Sequence, residues 1–223
     1  MTMTLFDPRV DVQALQKKLP VYCQDIRLLS RGKRGVIFRS YCKGKDVAIK
    51  MAHPSSKANN AILQEAQNLK RANRLGIGPA LLESNDDYVM MEFIQGRLIG
   101  EFLSDETVPS DEVRTVLARV IDQLFILDNA GINKQELTNP YKHIIVTDDF
   151  TPVLIDFERA RVSLRPSNLT QFSQYLTSSA ITSHLNARDI LEDKETFSFL
   201  VRSYHDAGHS KKVTLKEEMK SLL

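Results

Sequence analysis

Apolar and polar positions change period along this chain. From about Tyr22 they come in short alternating runs. Asp25-Ile-Arg-Leu-Leu-Ser30 and Val36-Ile-Phe-Arg-Ser-Tyr41 flank the glycine-bearing, basic stretch Arg31-Gly-Lys-Arg-Gly35, a pattern that predicts a hairpin. Lys43-Gly-Lys45 makes the next turn and Asp46-Val-Ala-Ile-Lys50-Met51 a third strand. A helix follows, with Ala61, Leu63, Ala66, Leu69 and Leu75 as its apolar contacts and Gly76 and Gly78-Pro79 as its stop. Ala80-Leu-Leu-Glu-Ser84 and Tyr88-Val-Met-Met-Glu-Phe-Ile94 then predict a second hairpin around Asn85-Asp-Asp87. Ahead of all this, residues 1–21 carry one helical signal, Val12, Leu15 and Leu19, and read as an N-terminal appendage.

Past Gln95-Gly96 the pattern is mainly helical. Leu98–Leu103 predicts a short helix, and Ser110-Asp-Glu predicts the cap of a long one ending at Asn129, before Ala130-Gly131. Val113, Leu117, Val120, Leu124 and Leu127 recur at helical spacing, which marks a core stripe rather than a cofactor box. His143-Ile-Ile-Val146 and Val153-Leu-Ile155 predict two short strands joined by the turn Thr147-Asp-Asp149, and the tail from about Asn168 predicts three helices. The expected architecture is α+β: a β-rich part, 22–95, with one helix, then a mainly helical part, 96–223. Neither repeats nor low-complexity segments interrupt it.

Composition narrows the class. With 223 residues, 42% of them hydrophobic and 26% charged, the chain has the balance of a soluble globular protein. No apolar run approaches the roughly 20 residues of a membrane span, and the N-terminus lacks a secretory pattern, so a cytoplasmic location is expected. Cys23 and Cys42 fit neither a disulfide framework nor a zinc site and are expected as reduced thiols. Asn168-Leu-Thr170 matches a glycosylation acceptor, which carries no meaning without secretion. Net charge is only +2, yet Arg27, Arg31, Lys33, Arg34, Arg39, Lys43, Lys45 and Lys50 cluster with Asp46 as the one acid among them. Such a cluster attracts phosphate, on a nucleotide or on RNA, and leaves RNA or ribosome association as a third class of function.

The chemistry centres on Thr151-Pro-Val-Leu-Ile-Asp156-Phe-Glu-Arg-Ala160, where an apolar strand ends in an acid. A carboxylate leaving the core there either meets a cation, as a Mg²⁺ ligand does, or caps the next turn.

In order, these pieces resemble the protein kinase superfamily, over roughly residues 24–160, in small divergent branches such as the RIO-type, KEOPS-associated and predicted archaeal and bacterial kinases. Val47-Ala-Ile-Lys50 resembles the strand whose lysine holds the α/β-phosphates, and Glu65 resembles its ion-pair partner. Gly32 and Gly35 resemble the later half of the glycine-rich loop, with Ser30 near the place of the missing first glycine. The resemblance makes Ile37 and Ala48 a roof over adenine, Met91 the guard at the back of the pocket, and the backbone of Glu92 and Ile94 the adenine-edge partners. Ile145 is grouped with these cofactor-binding positions. Asp156-Phe157-Glu158 resembles the metal-binding Asp-Phe-Gly in its Asp-Phe-Glu form.

The stretch 132–160 departs from the family loop His-Arg-Asp-Leu followed, after three residues, by Asn. His143 lies thirteen positions before Asp156, where that Asn stands, and so replaces the second metal ligand. Ungapped counting puts Thr138 at the base position. Glu136-Leu137 matches the residue pattern and needs two extra loop residues, and only a carboxylate orients and deprotonates a hydroxyl, so Glu136 is preferred. Neutral imidazole is a poor Mg²⁺ ligand, which leaves His143 as a Mn²⁺ ligand, a phosphate contact or a loop hydrogen-bonder, with Lys142 a further candidate for phosphate charge. No Ala-Pro-Glu follows Ala160. What the resemblance implies is a two-lobed fold that transfers phosphate from ATP with Mg²⁺ to serine or threonine, on a protein substrate or on itself. A small-molecule hydroxyl kinase and a nucleotide-binding pseudokinase scaffold stand as alternatives.

Overall fold

A computed structural model describes residues 12–31, 35–52 and 61–223. It divides into two compact units, Met1–Ile94 and Gln95–Leu223.

The first unit runs α1 (Val12–Gln16), β1 (Cys23–Arg31), β2 (Gly35–Cys42), β3 (Lys45–Ala52), α2 (Ala61–Asn73), β4 (Leu81–Ser84) and β5 (Tyr88–Glu92). Its strands form one antiparallel sheet in the order β1-β2-β3-β5-β4. Alternation divides the central strands cleanly. Val36, Phe38, Val47, Ile49, Met51, Tyr88 and Met90 are buried in a cluster that also takes in Leu15 and Leu19 of the N-terminal segment. Ile37, Ala48, Lys50 and Met91, one residue out of phase, face the other way and are only half-buried. Helix α2 packs against β3, β4 and β5, and its chain turns away through Gly76, at φ 73°, and Gly78, at φ 81°, a region closed to most side chains.

Cys23 and Cys42 depart from expectation. They face each other across β1 and β2, with Cα atoms 4.4 Å apart, and are joined as a disulfide. Strand register brings them together, which spacing along the sequence does not reveal. Beside this tie, the Tyr22 hydroxyl donates to Glu83 at 2.6 Å, and Tyr88 donates to the same carboxylate. These two bonds hold the Glu83 carboxyl below its ordinary value, while burial and the Glu83 charge push the Tyr88 phenol up.

The second unit opens with β6 (Arg97–Leu98), α3 (Ile99–Ser104) and α4 (Ser110–Asn129), then β7 (Ile132–Asn133), a 3₁₀ turn at Pro140–Lys142, β8 (Ile144–Val146), β9 (Pro152–Leu154) and β10 (Arg161–Val162). Strands β6, β8 and β9 form a small antiparallel sheet, and β7 pairs with β10. Helix α4 begins at Ser110, but Ser110 is inside the helix and Pro109 occupies the cap, with no side-chain cap bond. A missing cap costs about 1 kcal/mol. Val113, Leu117, Val120, Leu124 and Leu127, all 0% exposed, contribute about 2 kcal/mol each, so burial decides that this helix forms.

The tail holds four helices rather than the three expected: α5 (Asn168–Leu176), α6 (Ser179–Asn186), α7 (Lys194–His205) and α8 (His209–Ser221). Thr177 and Ser178 make the extra break. Their hydroxyls donate to the carbonyls of Ser173, at 3.0 Å, and Tyr175, at 2.7 Å, satisfying the end of α5 before α6 starts. No helix among the described residues is long and apolar enough to cross a membrane.

Two outcomes test the first unit. The disulfide joins residues 19 positions apart, so Cys23→Ser with Cys42→Ser should lower stability by about 3 kcal/mol, read as a lower urea midpoint than that of the oxidised parent. The Glu83 carboxyl is depressed when folded, so its contribution is present above the ordinary value of 4.5 and is lost as pH falls through the folded value. Unfolding of Glu83→Gln should therefore depend less on pH between about 6 and about 3 than unfolding of the parent.

Candidate functional site

In the first unit, the register Ile37↔Lys50, Ala48↔Met91 and Lys50↔Val89 puts Ile37, Ala48, Lys50 and Met91 on one sheet face. Lys50 Nζ reaches Glu65 Oε2 of α2 at 2.6 Å. The Glu65 side chain is 2% exposed and that of Lys50 12%, so the pair lies out of solvent, where charge pairing is little screened. Gly35 opens β2, and a Cβ built on it would lie 2.5 Å from the Met51 carbonyl oxygen, so any side chain would push β2 off β3. Gly32, Lys33 and Arg34 lie outside the described residues. The Glu92 N–H donates to Ala80 O at 2.9 Å and the Phe93 N–H to Asp46 O at 3.2 Å, which fixes the backbone leading to Ile94. Among the described members of the basic cluster, Arg39 pairs with Asp46, Lys43 with Glu83 at 3.6 Å, and Lys50 with Glu65.

The second unit gathers the remaining candidates. His143 Nε2 lies 3.9 Å from Glu136 Oε2, and its Nδ1 lies 3.9 Å from Asp156 Oδ2. Arg159 Nη1 reaches Glu136 Oε1 at 2.8 Å. Thr138 and Lys142 are exposed. Ile145 pairs with Leu98 and Val153, a half-buried apolar row on the small sheet. Backbone bonds place the two ends of the loop: the Ile155 N–H donates to His143 O at 2.9 Å, and the His143 N–H donates to Pro140 O at 2.8 Å.

Gln135, Glu136 and Asp156 have φ of 65°, 59° and 62°, a region that disfavours side chains by about 1–2 kcal/mol each. Such strain persists only where surroundings over-determine it. Here the support comes from residues to which the sequence pattern gave no role. Asn168, at 0% exposure, accepts the Lys134 N–H at 2.7 Å and donates to Ile132 O at 2.6 Å and Asp128 Oδ1 at 2.8 Å. Asp128 also accepts from the Asn168 and Leu169 amides, at 3.0 and 3.3 Å, and from the Tyr204 hydroxyl at 3.2 Å. Burial nonetheless leaves its carboxyl above the ordinary value, and burial with the adjoining Asp128 raises the Tyr204 phenol. Gln171 accepts the Leu137 N–H at 3.3 Å. A glycosylation motif was the one local signal at Asn168, and full burial closes that residue to modification in the folded chain.

The donor set of Glu136, His143 and Asp156, one atom from each, lies within a mutual 4.8 Å. Two carboxylates and an imidazole suit a divalent cation of the Mn²⁺ type, whereas Mg²⁺ prefers oxygen alone.

Neither a protein-family model nor a curated protein matches the chain. Among solved structures, the autoinhibited serine kinase domain of the giant muscle protein titin is similar, with a TM-score of 0.51 at 22% identity over 61% of this chain and 45% of that one. The fold is protein-kinase-like. The likeness, at that identity, is one of fold; the kinase-like frame says nothing by itself about substrate.

Asn168→Ala should remove about 3 kcal/mol, because the Lys134 N–H, Ile132 C=O and Asp128 carboxylate would lose their buried partner together. Thermal unfolding checks the size, and faster amide exchange at Lys134 checks the place.

Proposed function

We propose that this chain is an ATP-dependent phosphotransferase that acts on a serine or threonine hydroxyl, of a protein or of the chain itself. The observation that carries this is the convergence of Glu136, His143 and Asp156, from the segments either side of β8 and β9, in a kinase-like fold. Lys50, tethered by Glu65, supplies the cation that orients phosphate oxygens. Asp156 and His143 would hold a divalent ion, Mg²⁺ or Mn²⁺, which neutralises charge on the transferring group. Glu136 Oε1 is steadied by Arg159, and through its carboxylate Glu136 orients the acceptor hydroxyl and takes its proton. The hydroxyl oxygen bonds to the γ-phosphorus as the bond to the β-phosphate oxygen breaks, and ADP leaves with that electron pair. The Asp156-Phe-Glu form supports a place among divergent branches such as the RIO-type and KEOPS-associated kinases.

A second reading, a nucleotide-binding scaffold, is favoured by the same Arg159–Glu136 pair, because it engages the carboxylate that a hydroxyl would need. Transfer from γ-labelled ATP separates the two. Lys50→Met and Asp156→Ala should each lower transfer by at least about a hundredfold. Transfer that persists in Asp156→Ala, or none in the parent, removes the phosphotransferase reading.

A further inference from the structure

Lys134 sits where its chemistry is least at home. A lysine is among the residues most rarely buried, yet only 1% of this one is exposed. Its Nζ donates to the main-chain carbonyl of Asp156 at 3.0 Å and lies 5.3 Å from the centre of the Phe157 ring, itself fully buried. Its own backbone N–H is held by Asn168 at 2.7 Å. One residue is thus fixed at both ends, to α5 by its main chain and to the peptide of Asp156 by its side chain.

A methionine or leucine would fill that space without burying a polar nitrogen. What lysine adds is a donor, and the donor meets the carbonyl of a residue at φ 62°. That carbonyl and the Asp156 side chain leave the same residue, so anchoring the carbonyl limits how far its Cα, and the side chain it carries, can swing.

We propose that Lys134 is a positioning residue: its amine, anchored through Asn168, fixes the Asp156 peptide so that the Asp156 carboxylate faces His143 and the cation. The purpose of this device rests on the phosphotransferase reading, but its mechanics do not. The amides that flank the acid report on it directly, because the Ile155 N–H is held by His143 O and the Ala160 N–H by Phe157 O, at 3.0 Å.

The test compares the full-length parent with Lys134→Met, following hydrogen exchange at Ile155 and Ala160 and Mn²⁺ binding by paramagnetic relaxation. In Lys134→Met, exchange at both amides should rise at least about tenfold while β2 and β3 stay unchanged, and the Mn²⁺ Kd should rise at least about tenfold. Unchanged exchange overturns the proposal. So does faster exchange with Mn²⁺ affinity within about twofold of the parent, since Lys134 would then pack the loop without aiming the acid. A parent that binds no Mn²⁺ counts against the phosphotransferase reading, and the exchange rates then decide the positioning role alone. If Lys134→Met does not fold, Lys134→Gln, whose amide falls one bond short of the carbonyl, is judged by the same two measurements.

Discussion

The buried meeting of Asp128 and Asn168 is the constraint on which the second unit turns. A carboxylate out of water must accept hydrogen bonds from every side or take up a proton. Asp128 takes them from two backbone amides, an amide side chain and a phenol, and so welds the end of α4 to the start of α5 and to Tyr204 of α7. Asn168 then passes that rigidity outward, because its remaining atoms hold Ile132 and Lys134. The left-handed residues Gln135 and Glu136 come directly after this anchor. A loop with consecutive strained residues is poorly stable by itself, and it keeps its shape because what lies beneath cannot move.

The first unit solves a similar problem with fewer parts. Lys50 and Glu65 come from a strand and a helix, and each is costly to bury alone. Their 2.6 Å contact fixes the height of α2 over β3. The neighbours on the same face, Ile37, Ala48 and Met91, are only half-buried, so the core leaves that face unfilled.

Much of this was legible in the residues. Period-two alternation gave the strands around Phe38, Ile49 and Met90, and helical spacing gave α4 to its last residue, because in both cases one face is buried completely. The disulfide was not legible, since it depends on strand register and two cysteines carry no register information. The break between α5 and α6 was hidden because Thr177 and Ser178 look like ordinary polar helix positions. Around the candidate site, Lys50, Glu65 and Asp156 stand in family-like motifs, Glu136 needs two loop residues more than the family pattern, and the residues beneath them carry no such signal. Lys134 and Asn168 read as surface residues by type, and only burial reveals what they hold.

The link between Cys23 and Cys42 also bears on how this protein behaves among its own copies. Strand β1 spans nine residues at the rim of the sheet, with Leu28 and Leu29 39% and 46% exposed. A long rim strand with exposed leucines invites exchange, in which one copy lends its strand to the next. Bolted to β2 at its first residue, β1 cannot be lent without breaking a covalent bond. While that bond is intact, this route to strand exchange is closed.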